Sequence, residues 1–262
     1  PLLLALHMRL HVLLAGPQGS GKSTWAQILY SFTTEPDREQ MRERFDFFPQ
    51  DIESLRWRPF EQPHHTITTQ AMVGGGLPVE PGVITRAHGG VLLMDEFLEF
   101  PGAVLEALRE PLENGIIEIA RKGTRERLPA DFQLIGTTNL CPCGKLNPQR
   151  LRACTRTLGY CRSVCDRLSG PLLDRFDLMV LTADWVGAKA GPRLSMDEID
   201  QRLQRVRDFG RRRGPQELKA PAWLQELEHS YRRKRSLLRV ARGLADLEES
   251  VEITPFHIAE AS

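Results

Sequence analysis

The sequence has almost no net charge, no cysteine outside one short stretch, no basic region ahead of its apolar opening and no initiator methionine. A formal net charge of +1 provides no overall field for nucleic acid, so any basic surface has to be local. Basic residues outnumber acidic ones from Arg202 to Arg242, which makes that segment the place to look. The opening Pro1 to Met8 is apolar but short and runs straight into a strand pattern, which excludes a signal peptide and a membrane span. Without a starting methionine, the chain reads as one cut from something longer. The five cysteines, Cys141, Cys143, Cys154, Cys161 and Cys165, point to reduced thiols or a metal rather than a disulfide framework, and so to a cytosolic protein. At 262 residues, 41% hydrophobic and 26% charged, the chain can build one large or two smaller domains.

The most specific stretch that is present is Gly16-Pro17-Gln18-Gly19-Ser20-Gly21-Lys22-Ser23, which fits G-x-x-x-x-G-K-[ST]. Its context gives the pattern meaning, since Leu10 to Ala15 reads as a buried strand and Thr24 to Tyr30 as the start of a helix. Glycines let backbone N–H groups turn inward around a phosphate, and the helix N-terminus adds positive potential. Lys22 then reaches the β and γ phosphates, and the Ser23 hydroxyl suits Mg²⁺. The ordinary alternative is a flexible glycine turn with an incidental lysine.

Downstream, Gly90-Val91-Leu92-Leu93-Met94-Asp95-Glu96 is an apolar run ending in two carboxylates, as expected of a central strand covered on both faces. Following a phosphate loop it reads as Walker B, with Asp95 on Mg²⁺ through its water shell and Glu96 as general base. Pro101 opens a helix striped by Val104, Leu105, Leu108 and Leu112 and ending at Asn114-Gly115. Ile116 to Leu128 reads as a β-hairpin with Arg121 and Lys122 at its tip, either a solvated turn or a finger on a phosphate backbone. Phe132 to Asn139 is another buried strand; Asn139 is placed to bond the attacking water or the γ-phosphate, or else to form a turn. Arg175, before a last strand Leu178 to Leu181, is open to two readings: surface pairing with Asp174 or Asp177, or neutralisation of a phosphoryl group in a neighbouring subunit. The adjacent His64 and His65 have no metal-binding partner at suitable spacing and receive no chemistry. Ala183 to Arg193 reads as a linker. A helical region follows, with a capped start at Ser195 and further patterns from about Ala222 and from Leu237 to Leu247.

Together these residues resemble the AAA+ ATPases, and within them the magnesium-chelatase-like family with its ComM/YifB branch. The likeness runs from about Leu10 to Glu260. It is carried also by Arg58-Pro59-Phe60, Pro63-His64-His65-Thr66, Val73-Gly74-Gly75-Gly76, Leu108 to Glu113, Cys141-Pro142-Cys143-Gly144, Ser169 to Arg175 and Leu238 to Arg242. The resemblance implies an α/β fold: an αβα P-loop core with a parallel sheet over residues 1–188 and a small all-helical lid over 189–262. It also implies ATP and Mg²⁺ as cofactors and a homo-oligomer, a hexameric ring, with each site completed by the next subunit. Gly16 to Thr24 match Walker A, with Lys22 and Ser23 at its end; Asp95 and Glu96 match Walker B, Asn139 sensor 1 and Arg175 the arginine finger. Sensor 2 falls on Arg232, with Arg233, Arg235 and Arg239 as neighbouring alternatives. The hairpin matches the pre-sensor 1 hairpin, which makes Arg121 and Lys122 candidates for DNA contact.

Two departures from the family pattern stand out. ComM-like proteins carry a second Cys-x-Cys pair, the makings of a zinc site; here Cys154 fits its first position but Arg156 holds the other, so Cys161 or Cys165 would have to substitute. Free buried thiols are the alternative. The family also carries a Lon-protease-like domain before the ATPase core, and its lid is longer between Leu218 and Trp223. The leading expectation is an ATP-hydrolysing motor module that acts on DNA in the manner of a ComM-like branch-migration helicase. The competing ones are a magnesium-chelatase-type motor subunit that remodels a protein without nucleic acid, and a scaffold that binds ATP without turnover.

Overall fold

Three runs, the apolar Val12–Ala15 and Val91–Met94 and the mixed Gln133–Thr138, are buried along their whole length and form the middle of a parallel sheet. Continuous burial is what strands covered on both faces require. The computed structural model describes residues 1–33, 37–49, 58–121, 124–141, 143–145, 156–157, 159–160, 167, 169–182, 195–215 and 230–262. Lys122, Cys154, Cys161, Cys165, the linker reading and the helical pattern from Ala222 lie outside these residues.

In chain order the elements begin with α1 (Leu2–Met8), β1 (Val12–Ala15), α2 (Lys22–Ser31), α3 (Arg38–Phe45), β2 (Phe60–Glu61), α4 (Thr69–Val73), β3 (Gly74–Gly75) and β4 (Glu80–Pro81). They continue with α5 (Val83–Arg86), β5 (Val91–Met94), α6 (Gly102–Ala107), α7 (Arg109–Asn114), β6 (Ile116–Arg121), β7 (Thr124–Pro129) and β8 (Gln133–Thr138). The last described elements are α8 (Gly170–Leu173), β9 (Leu178–Leu181), α9 (Met196–Arg213), α10 (Tyr231–Leu247) and α11 (Pro255–Ala261). The main sheet has the order β2-β5-β8-β1-β9, with every neighbouring pair parallel. All its carboxyl ends therefore lie along one edge, where open α/β sheets bind ligands.

One element departs from the pattern read in the sequence. The helix after Pro101 breaks at Leu108, because Pro111 lacks an N–H and its ring cannot sit against the carbonyl of the residue four before it. Its end at Gly115 stands, with φ +69° in the left-handed region that glycine tolerates. The capped start at Ser195 is a full capping box, with Ser195 Oγ accepting from the Glu198 N–H and Glu198 Oε2 accepting from the Ser195 N–H.

The chain divides into two compact units, Val12–Gly187 and a second in which Pro1–His11 joins Ala188–Ser262. The apolar opening is thus a helix of the second unit. Leu4 and Met8 of α1 pack where a side chain at Gly243 of α10 would stand, so only glycine admits the approach. The C-terminus of α1 is closed by Arg239, whose guanidinium donates to the Met8 and Arg9 carbonyls at 3.1 and 3.4 Å. Arg239, one of the alternatives for sensor 2, thus caps α1.

A polar network holds this unit together. Asp246, 1% exposed, accepts from Arg213 Nε at 3.0 Å and Nη2 at 3.2 Å, lies 2.8 Å from Arg242 Nη2 and 2.9 Å from His7 Nε2. Arg242, 2% exposed, also donates to the Val251 carbonyl. Burial pushes the Asp246 carboxyl up, but the bonds from His7 and Arg213 and the charges of Arg242 and Arg213 outweigh it and hold the group below its ordinary value. A carboxyl lowered in this way stabilises the fold above its unfolded value and loses that contribution as pH falls through the folded one. Asp246→Asn should cost about 3 kcal/mol, because it leaves the buried Arg242 and the partly buried Arg213 undercompensated. Thermal melts by far-UV circular dichroism should show that deficit at neutral pH and the two proteins converging in acid.

Candidate nucleotide-binding site

The loop Gly16 to Gly21 joins the end of β1 to the start of α2 at the carboxyl edge of the sheet. Gly19 and Gly21 take φ +76° and +78°, a conformation that a side chain would strain, and nothing stands within 4 Å of where a Gly19 Cβ would point. The Gln18 N–H is held by the Gly144 carbonyl at 2.8 Å. The N-terminal turn of α2 follows the loop directly with no side-chain cap, so its first N–H groups add positive potential at this end of the helix.

A cleft of about 240 Å³ lies over this loop, lined by Gln18, Gly19, Gly21 to Thr24, Asp95, Glu96 and Thr137 to Asn139. Lys22 is 8% exposed, and its ammonium donates to the Gly16 and Pro17 carbonyls at 2.9 and 2.7 Å and to Asn139 Oδ1 at 3.2 Å. Burial lowers its pKa, while Asp95 and Glu96 act in the opposite sense. The Ser23 hydroxyl donates to Asp95 Oδ1 at 2.9 Å. Glycine cradle, buried ammonium and a hydroxyl beside a carboxylate fit a nucleoside triphosphate with Mg²⁺, which Ser23 and Asp95 would hold.

Thr137 escaped notice in the sequence. Its hydroxyl accepts from the Glu96 N–H at 3.0 Å and donates to Asp95 Oδ1, so one side chain of β8 fixes both carboxylate residues of the β5 turn. The available signal was its place one residue from the strand end. Glu96 itself has φ +54°, a left-handed backbone uncommon outside glycine, at a position where function is the usual reason for such strain.

The remaining candidates do not gather here. Arg175, whose side chain is 10% exposed, pairs with Glu113 of α7 at 2.5 Å and donates to the Pro171 carbonyl at 3.1 Å, so its surface partner is neither Asp174 nor Asp177. It is not among the residues lining the cleft. Arg232 lies on the first turn of α10 in the other unit. Arg121 ends β6, and its side chain is outside the described part. Cys141 is buried with its sulfur 3.0 Å from that of Cys143. No group of three or more His, Cys, Asp or Glu side chains placed to hold a metal occurs among the described residues, so the zinc expectation gains no support. No described helix is long and apolar enough to cross a membrane.

The profile of the magnesium chelatase subunit ChlI family matches residues 2–189, and that of its C-terminal region matches residues 205–262. The chain belongs to the magnesium chelatase ChlI family. Its sheet, phosphate loop and C-terminal helical unit agree with the AAA+ architecture of that family, whose members in general hydrolyse ATP. Among relatives, protein YifB of Escherichia coli K12 is 35% identical over 96% of this chain and 55% of its own length. Competence protein ComM of Haemophilus influenzae is 32% identical over 96% of this chain and 54% of its own. Protein Rv2897c of Mycobacterium tuberculosis is 37% identical over 78% and 42%. The chain thus spans about half the length of the curated relatives it matches.

Thr137→Val keeps the shape and removes the shared hydroxyl. Affinity for Mg·ATP should fall about tenfold, the effect of losing one hydrogen bond to a charged group, with affinity for nucleotide in excess chelator unchanged. Titration with a fluorescent nucleotide under both conditions separates this from general damage, which would weaken both equally.

Proposed function

We propose that this chain is the ATP-hydrolysing motor module of a ring-forming AAA+ protein that acts on DNA. The supporting observation is the convergence of Lys22, Ser23, Asp95, Glu96 and Asn139 on one cleft at the end of the sheet. In this reading Lys22 leaves the loop carbonyls for the β and γ phosphates, and Mg²⁺, when bound, neutralises charge on them. Glu96 takes the proton of the attacking water, and Asn139 holds that water or the γ-phosphate. Arg175 leaves Glu113 and reaches the site of the next subunit, and Arg232 reads the nucleotide from the helical unit as sensor 2. The hairpin β6-β7 carries Arg121 and Lys122 to a DNA backbone. DNA as the substrate rests on the kinship with the competence protein ComM, and branch migration of a hexameric cytosolic ring is its most specific form. The unmatched half of the relatives leaves room for a Lon-like domain beside this module.

A second reading is a magnesium-chelatase-type motor subunit that remodels a protein partner without nucleic acid; the match to the magnesium chelatase subunit ChlI family supports it. ATPase rate against protein concentration, with and without branched DNA, separates the two. Under the first reading the rate rises with concentration, responds to DNA and collapses in Arg175→Ala; under the second it ignores DNA but still needs Arg175. Glu96→Gln should bind ATP and lose turnover by about two orders of magnitude or more, the usual worth of a general base. Replacing Arg121 and Lys122 by alanine should lower DNA affinity and flatten the log–log salt dependence by about one for each phosphate no longer neutralised.

A further inference from the structure

Within the phosphate loop, Ser20 has no task in the proposed function. Gly19 and Gly21 on either side line the cleft, whereas Ser20 is not among the lining residues and its side chain is buried. Its hydroxyl lies 2.6 Å from the hydroxyl of Thr182, a fully buried residue 162 positions further along the chain.

The register of the sheet explains the meeting. β1 and β9 are parallel with Ala15 opposite Leu181, so the residue after β9 stands level with the first residue of the loop. Longer contacts of 3.5 Å extend the pair at both ends, Lys22 Nζ donating to Ser20 Oγ and Thr182 Oγ1 donating to the Ala15 carbonyl. With both donations made, the Ser20 proton goes to Thr182 Oγ1, and the four groups form one chain of donors from the ammonium to the end of β1.

The loop needs such a tie. Gly19 and Gly21 hold left-handed φ, and nothing stands within 4 Å of a Cβ at Gly19, so backbone freedom is greatest where the N–H groups have to converge on phosphate. Ordering those residues during binding costs affinity, and a loop ordered beforehand avoids the cost. The Gln18 N–H, bonded to the Gly144 carbonyl at 2.8 Å, fixes one side of the tip, and Ser20 fixes the other.

We propose that Thr182 is a positioning residue for nucleotide binding, anchoring Ser20 so that the loop N–H groups already converge when the phosphates arrive. The inference rests on the nucleotide-binding part of the reading above and adds to it the residue that sets its loop. Thr182 touches neither phosphate nor metal in this scheme.

The test uses the full chain and titrates a fluorescent ATP analogue with Mg²⁺ and again in excess chelator. Thr182→Val keeps the shape and removes the hydroxyl, Thr182→Ser keeps the hydroxyl, and Ser20→Ala removes the other end of the bond. Thr182→Val and Ser20→Ala should each weaken binding about fivefold under both conditions, the worth of one neutral hydrogen bond, and in Thr182→Val the KM for ATP should rise with kcat at saturation held. Thr182→Ser should bind like wild type, and the double variant should bind no more weakly than either single one, because both remove the same bond. Wild-type affinity in Thr182→Val or Ser20→Ala, a loss in Thr182→Ser as large as in Thr182→Val, or losses that multiply in the double variant would overturn the assignment while leaving the nucleotide site intact. If Thr182→Val does not fold, Ser20→Ala and Thr182→Ser decide by the same outcomes. Wild-type protein that binds no nucleotide would defeat the reading of the cleft itself, and Thr182 with it.

Discussion

A lysine ammonium buried among oxygens that carry no full charge is the constraint on which the nucleotide site depends. Lys22 spends its protons on the Gly16 and Pro17 carbonyls and the Asn139 amide oxygen, and the nearest carboxylates, Asp95 and Glu96, act on it only through space. Burial without a paired anion is costly, so the site favours any ligand that supplies negative charge in reach of the amine. The loop fits the same logic, because its left-handed glycines present backbone N–H groups where side chains would stand. Asn139, which accepts from the amine, couples the end of β8 to the phosphate loop.

That coupling works because the strands end together. Ala15 pairs with Thr138 on one side and Leu181 on the other, so residues that follow three different strands emerge at one level. Thr137 ties β8 to the Asp95-Glu96 turn, and the Ser20 hydroxyl bonds Thr182 after β9 at 2.6 Å. Beneath them, Gly136 leaves space for Phe97 and Phe176, which meet edge-to-face at 5.2 Å. These rings directly follow Glu96 and Arg175, so a buried aromatic contact joins the base's turn to the segment carrying the arginine. A larger residue at Gly136 would press on both.

The parts legible in the sequence are those written locally. The phosphate loop, the apolar strand ending in Asp95-Glu96, the hairpin and the Ser195 cap each depend on residues close in the chain, and each occurs as read. What escaped depends on partners far apart. Nothing near Arg175 points to Glu113, and nothing near Glu96 points to Thr137. The destination of α1 was equally hidden, since its apolar face finds its match at Gly243, more than two hundred residues later. The break at Leu108 was legible through Pro111, but an uninterrupted apolar stripe concealed it.

The placement of α1 gives the connectivity a physical meaning. The chain passes from the helical unit into the core between His11 and Val12, so the strand that ends in the phosphate loop is covalently continuous with α1. Within its own unit α1 is fixed at three points: its apolar face at Gly243, its last carbonyls on Arg239, and His7 on Asp246. Arg239 and Asp246 are both on α10, the helix whose first turn carries Arg232. A displacement of α10 therefore has to be shared by α1, because the alternative is to break the His7 bond to the buried Asp246 and to strip the last α1 carbonyls of the Arg239 guanidinium. The charged network is in this sense a mechanical part, making one body of the segment before β1 and the helix that bears the candidate sensor.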